Sequence, residues 1–275
     1  MSLRNIVRGI GRRNPVVRKI WRWIKYRRAV RRLRGPKIIR QMERLYPQAF
    51  FIQIGANDGD QLDPLRTAVH RSGWRGIMVE PVPYVFRKLA SNNGHLASRV
   101  KLENVAIADV CGTLPFWHLP QADAGEGLPR LYDALGSFHK DVVLKHVNFI
   151  PDIEDRIVCT NVDCITLEEL CRRNQVDAID VLQIDTEGYD FEIIKMIDFT
   201  IRPPSLLIYE HHHFDEHTDR ECRQYLRERG YRLFKEGMDT WCLRSGQKGG
   251  GRTQRLERYW QNRGGDAGFG EKGLA

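Results

Sequence analysis

Residues Phe51 to Asp60 read FIQIGANDGD, an apolar strand running directly into a polar loop bracketed by Gly55 and Gly59. Such a segment suits the first strand of an open α/β sheet. Its glycines permit positive φ and close backbone approach to a ligand, and the following helix offers unpaired N–H groups. Glu80 ends the next apolar run, 21 residues after Gly59, and Pro81 and Pro83 stiffen the turn behind it. Further buried-strand patterns lie at Phe50 to Ile54, Gly76 to Val79, Leu102 to Ile107, Val181 to Ile184 and Ser205 to Tyr209, with amphipathic stretches between several of them. Tyr231 to Phe234 and Thr240 to Leu243 read as a closing antiparallel pair with Gly237 in the turn. This alternation predicts a largely parallel, doubly wound sheet with helices on both faces.

The rhythm fails in three places. Between Cys111 and Cys159, scattered Pro, Gly and aromatic residues predict a loop-rich insertion. Residues 245–275 carry nine glycines and no sustained apolar period, which predicts a disordered tail. Residues 1–44 hold 16 Lys or Arg against one acid, Glu43; taking that +15 from the overall +9 leaves −6 for the rest. The basic character therefore belongs to an appendage, and a nucleic-acid groove across the 45–244 domain is not implied. Val17, Ile20, Trp21 and Ile24 share one helical face ringed by Arg and Lys, which suits an anionic membrane surface; a solvated tail or an organelle-targeting segment gives the same pattern.

No stretch has the roughly 18 consecutive apolar residues of a membrane span. No cysteine pair has zinc-site spacing, so the six are read as reduced and structural. The expected setting is cytoplasmic, with peripheral membrane attachment through residues 1–44 left open.

The loop does not match the G-x-G-x-x-G spacing of a dinucleotide site, because Asn57 stands where the second glycine would be. A ligand with adenosine but no pyrophosphate fits better. Glu80 would accept from the ribose hydroxyls, and Asn57 and Asp58 would address the amino and carboxylate groups of a methionine moiety.

The runs IGANDG, VEPVP, ENVAIAD and ITLEELC, followed by VLQIDTEGYDFEIIK, resemble in order and spacing the FkbM-type methyltransferases, over roughly Phe50 to Glu210. The resemblance implies a class I methyltransferase fold: an α/β, Rossmann-like doubly wound sheet, mostly parallel, with a C-terminal antiparallel strand pair. It also implies S-adenosylmethionine as cofactor, with Gly55, Ala56, Asn57, Asp58 and Gly59 on the methionine part, Glu80 on the ribose, and the Ala106 to Asp109 region beside the adenine. Many members of that family methylate hydroxyls of sugars or polyketide-like products. The family usually carries Asp where this chain has Gln53 and Lys where it has Gln183, so neither position is given a role that needs charge.

The reacting groups are expected at neighbouring strand ends: Asp185 and Glu187 after one strand, and Glu210, His211, His212 and His213 after the next. Asp185, Glu210, His211 and His213 are the catalytic candidates for assisting proton loss from an acceptor. Asp185 would alternatively cap the helix near Tyr189. Asp185, Glu210 and His211 could hold Mg²⁺, although no metal site is favoured, and His213 with His217 is a weaker pair. In the insertion, Trp117, His118, Tyr132, Ser137, Phe138, His139 and Lys140 mix rings with polar groups, as a carbohydrate-binding wall does or a covered sheet edge does.

The leading expectation is O-methylation of a sugar, glycan or small natural product. The alternatives are an RNA methyltransferase using the basic arm, which the acidic body argues against, and a non-catalytic module that binds S-adenosylmethionine.

Overall fold

A computed structural model of the chain describes residues 35–60, 63–122, 128–245 and 251–262. The basic face around Val17 to Ile24 lies outside them. The elements are α1 (Gly35–Leu45), β1 (Phe50–Ile54), α2 (Arg66–Arg71), β2 (Arg75–Val79), α3 (Pro83–Asn93), β3 (Val100–Glu103), β4 (Ala106–Ile107), β5 (Gly112–His118), β6 (Gly136–Ser137), α4 (Lys140–Leu144), α5 (Ile153–Arg156), β7 (Val158–Ile165), α6 (Leu167–Arg173), β8 (Val181–Ile184), α7 (Asp190–Lys195), β9 (Leu206–Glu210), α8 (Glu216–Glu228), β10 (Tyr231–Glu236), β11 (Asp239–Arg244) and α9 (Gly251–Asn262).

Seven strands form the main sheet in the order β3-β2-β1-β8-β9-β11-β10. All pairs are parallel except those made by β11, which runs against both β9 and β10. The expected doubly wound sheet with its closing antiparallel pair is present. The central strands β8 and β9 are buried at every position, as their unbroken apolar runs require. Their side chains alternate between two cores. Ile52, Ile54, Leu182, Leu207 and Tyr209 pack under α6, α7 and α8. Phe51, Met78, Val181, Leu206 and Ile208 pack under α1, α2, α3 and α9. The chain leaves β1 toward β2 on one side and returns at β8 on the other, so a crevice opens between the carboxyl ends of β1 and β8.

Four expectations need correction. Residues 35–44, assigned to the basic appendage, form most of α1 and bury Ile38, Ile39 and Met42; their i, i+1, i+4 spacing gives an apolar stripe that the surrounding charges mask in composition. The glycine-rich stretch after Ser245 contains α9, where Leu256 and Trp260 are buried and the Trp260 ring lies 4.8 Å from that of Phe234. Two large apolar side chains four residues apart were enough to anchor a helix that glycine content alone argued against.

Leu102 to Ile107 is not one strand. The chain breaks at Glu103, and Asn104 turns its amide to the Glu80 and Pro81 carbonyls at 2.8 and 3.0 Å, so that β3 and β4 join different sheets. The insertion, finally, is not mainly loop. Strand β5 pairs antiparallel with β7 from Gly112–Cys164 to His118–Val158, giving a second sheet in the order β4-β7-β5-β6. Pro115 disguised β5, whose partner at that position, Asn161, lies on the distant β7. Among the described residues no helix is long and apolar enough to cross a membrane, and all six cysteines are unpaired.

Candidate active site

The crevice widens into a cavity of about 610 Å³ bounded by β1, β2, β8 and β9 and roofed by the insertion. Its first end is built by the loop after β1. Gly55 has φ +77°, and a Cβ there would run into the Asp185 carbonyl oxygen, so glycine is what lets the β1 and β8 ends come together. Gly55 and Ala56 both donate to the Val79 carbonyl, at 3.0 and 2.9 Å. Asn57, at φ +49°, donates its N–H to Glu80 Oε2 at 3.0 Å, and Val82 donates to Oε1 at 2.9 Å. Each oxygen keeps a second acceptor position for a ligand. Burial raises the Glu80 carboxyl to about 7, against the pull of those two N–H groups.

Gly55, Ala56, Asn57, Glu80 and Ala106 line the cavity as expected. Three further cofactor candidates are not among its lining residues. Asp58 turns Oδ1 back to the Asp60 N–H at 2.9 Å, Gly59 (φ +66°) packs against Leu89 and Asn93, and Asp109 is exposed. These residues shape the loop or sit outside it. Gln53 and Gln183 are the unexpected members. They are register partners across β1 and β8, both nearly fully buried, and each has an Oε1 without a hydrogen-bond partner. The two departures from the family pattern thus lie side by side as one neutral pair. Asp63, beyond Gln53, is raised to about 6 by burial.

The second end is acidic. Asp185, Glu187 and Glu210 each place an oxygen within 4.8 Å of the others, and Asp239 joins them because the β9–β11 register sets it opposite Glu210. Burial first, then mutual repulsion, pushes the Asp185 and Glu210 carboxyls well above the usual range. His213 Nε2 lies 2.6 Å from Glu187 Oε2 and 3.5 Å from Glu210 Oε2, with its side chain only 5% exposed. Glu187 itself has φ +51°, a strained conformation for a residue with a Cβ. It is held there because Ser137 donates to its carbonyl at 2.7 Å and because Asp190 fixes the loop. Asp190 accepts from the Thr186 N–H and hydroxyl with one oxygen and from the Glu210 N–H with the other, tying the IDTEG loop to the end of β9. The helix-capping alternative for Asp185 is therefore corrected: Asp190 takes the loop's N–H groups, and Asp185 faces the cavity.

Of the catalytic candidates, Asp185, Glu210 and His213 converge and His211 does not. The His211 ring pairs with Thr240 Oγ1 at 3.0 Å and does not line the cavity; burial and the nearby Lys235 lower it to about 4. His217 is exposed beside Glu221. From the insertion, Phe138 reaches the cavity, whereas Tyr132 and Ser137 are buried, His118 bonds to Leu119 and Thr160, and Lys140 lies over the Trp117 ring. The lining residues that sequence reasoning missed include His146, Asp63, Asp133, Phe116, Phe149, Met238 and Asp239. For Asp239 the hairpin pairing was a usable signal; for His146, 67 positions before His213, there was none.

Residues 53–233 match a family model described as the methyltransferase FkbM domain. No curated protein sequence matches the chain. Similar solved structures include methyltransferase FkbM from Methylobacillus flagellatus KT, at 13% identity and TM-score 0.45, covering 72% of this chain and 44% of that one. The methyltransferase domain of METTL16 follows at 13% and 0.42, covering 76% and 63%. Precorrin-6y C5,15-methyltransferase from Geobacter metallireducens GS-15 gives 12% and 0.39, covering 77% and 87%. The chain thus spans less than half the length of the first of these.

Proposed function

The chain belongs to the FkbM methyltransferase family, and we propose that it transfers a methyl group from S-adenosylmethionine to a hydroxyl of an uncharged acceptor such as a sugar, a glycan or a small natural product. The fold is the class I methyltransferase fold that this family implies. The cavity suits the cofactor. Glu80 would take the ribose, Ala106 and Ile107 the adenine side, and the unpaired oxygens of Gln53, Asn57 and Gln183 the positively charged amino group. When bound, the cofactor supplies a methyl group on a positively charged sulfur.

The observation that carries the acceptor class is the charge of the lining. Asp63, Glu80, Asp133, Asp185, Glu187, Glu210 and Asp239 face the cavity, and no Lys or Arg does among the described residues. A phosphate about 4 Å from one of these carboxylates would be repelled by about 4 kcal/mol at an effective dielectric of 20. That weighs against a phosphate-rich acceptor and so against the RNA alternative. Phe149 and Met238, 63% and 50% exposed, offer an apolar rim on which a ring can rest. The 13 Lys or Arg of residues 1–34, without a single acid, would draw the protein to an anionic surface that presents such an acceptor.

In this reading Glu210 receives the acceptor's proton. Glu210 Oε2 is buried without a hydrogen-bond partner, 3.5 Å from His213 Nε2 and beside Asp185 and Glu187. Burial and its acidic neighbours raise its proton affinity, and the positive charge of a bound cofactor would favour the ionised form that accepts the proton. His213 and Glu187 position it, and Asp185 supplies a neighbouring charge. Glu210→Gln should keep S-adenosylmethionine affinity within about twofold by calorimetry and slow methyl transfer by about 10²- to 10⁴-fold. Transfer at the parent rate would remove Glu210 from this role.

A further inference from the structure

We propose that His146, Glu187 and His213 form a binding site for a divalent first-row transition metal ion, with Glu210 as the adjoining carboxylate. One ligand atom from each of the three lies within 4.8 Å of the others, and a second group, Asp185, Glu187 and Glu210, shares Glu187 with it. The Mg²⁺ grouping read from the sequence is thereby changed: His211 is replaced by His213, and His146 arrives from the insertion.

Several independent features favour an ion here. Glu210 is 6% exposed, yet its Oε2 has no hydrogen-bond partner and lies 3.5 Å from His213 Nε2. A buried carboxyl oxygen left open is costly unless something meets it, and a cation would hold this one ionised. No lysine or arginine among the described residues lines this cavity to do so. The His146 ring is set from behind, with Nδ1 donating to the Val143 carbonyl at 3.3 Å, which leaves Nε2 with its lone pair free for a metal. The two imidazole rings stand 5.6 Å apart. Glu187 is held at its strained φ by Ser137 and by the Asp190 anchor, and this places its carboxylate between the two groups. Two imidazoles with a carboxylate select Mn²⁺, Fe²⁺, Co²⁺ or Zn²⁺ over the oxygen-seeking Mg²⁺ and Ca²⁺.

Metal binding does not depend on methyl transfer. Only the ion's use there, holding an acceptor oxygen beside Glu210, rests on the function proposed above.

The test uses the full untagged chain, stripped with chelator, in Mn²⁺ titrations followed by calorimetry and by loss of the free-ion electron paramagnetic resonance signal. The expected result is one saturable site per chain that Mg²⁺ displaces only at far higher concentration. His146→Ala and, separately, His213→Gln should each weaken it on the order of 100-fold, with unchanged melting and S-adenosylmethionine affinity for His146→Ala. Absence of saturable binding overturns the site. So does Mn²⁺ affinity that is indifferent to both histidine variants, or Mg²⁺ binding as tightly as Mn²⁺, because either would leave only an oxygen cluster. S-adenosylmethionine binding without metal binding would overturn this inference and leave the proposed transfer standing, whereas metal binding without cofactor binding would do the reverse.

Discussion

Glu80→Gln should remove a pH dependence of the protein's melting temperature and make it a poorer binder of S-adenosylmethionine. Burial raises the Glu80 carboxyl from 4.5 to about 7 in the fold. A group raised in the folded state contributes stability that is fully present below about 4.5 and is lost as pH climbs through 7. At about 1.4 kcal/mol per unit, keeping this carboxylate ionised at pH 8 costs the fold about 3 kcal/mol. Glutamine escapes that cost, but its NH2 cannot accept, so at every pH one of the Asn57 and Val82 N–H groups loses its acceptor, at about 1–3 kcal/mol. For a domain of this size 1 kcal/mol moves Tm by about 2–4 °C, so the ligand-free variant's Tm relative to the parent should be about 6–12 °C higher at pH 8 than at pH 4.5.

Binding should move the other way. A hydroxyl bonded to a charged acceptor is worth about 1.5–3 kcal/mol, so the variant's Kd at pH 8 should rise about 10- to 100-fold. The parent's Kd should also rise as pH falls below 7, a dependence that the variant lacks. Calorimetric titration and melting curves from pH 5 to 8.5 read both quantities. A variant whose Tm falls between pH 5 and 8 as far as the parent's would refute the buried-charge argument, and one that binds the cofactor as tightly as the parent would refute the ribose assignment.

Gly55→Ala tests the closure of the crevice. Left-handed φ costs a residue with a Cβ about 1–2 kcal/mol, and the Cβ must also displace the Asp185 carbonyl, so both Tm and cofactor affinity should fall; an unchanged melt would contradict the close packing of β1 and β8. Trp260→Ala empties a fully buried site against Phe234 and should destabilise the fold by about 3–5 kcal/mol in denaturant titrations, whereas a neutral effect would mean that α9 is not part of the core.

The parts of the fold legible in the sequence were those whose signal is local. Strands β1 and β8 announce themselves as short apolar runs ending in glycine or acid, and Glu80 is located by the length of one strand-helix-strand unit. What stayed hidden depends on partners far along the chain. Pro115 belongs to a strand only because β7 lies beside it. Leu102 to Ile107 looks continuous until Asn104 finds the Glu80 and Pro81 carbonyls. The run His211 to His213 could not show that His212 and His213 line the cavity and His211 does not. That is settled by the backbone after β9, where His211 donates to the Met238 carbonyl and turns its ring to Thr240. His146 and Ser137 reach the site through the insertion, whose second sheet has no periodic signature of its own.

The most direct measurement is transfer of labelled methyl from S-adenosylmethionine to a matched set of neutral hydroxyl-bearing sugars and natural products, their phosphorylated counterparts, and RNA. The account predicts label in a neutral acceptor as an ether that survives alkaline treatment, and none of that transfer with Glu210→Gln. Label confined to RNA or to phosphorylated acceptors, or undiminished transfer by the Gln variant, would contradict it.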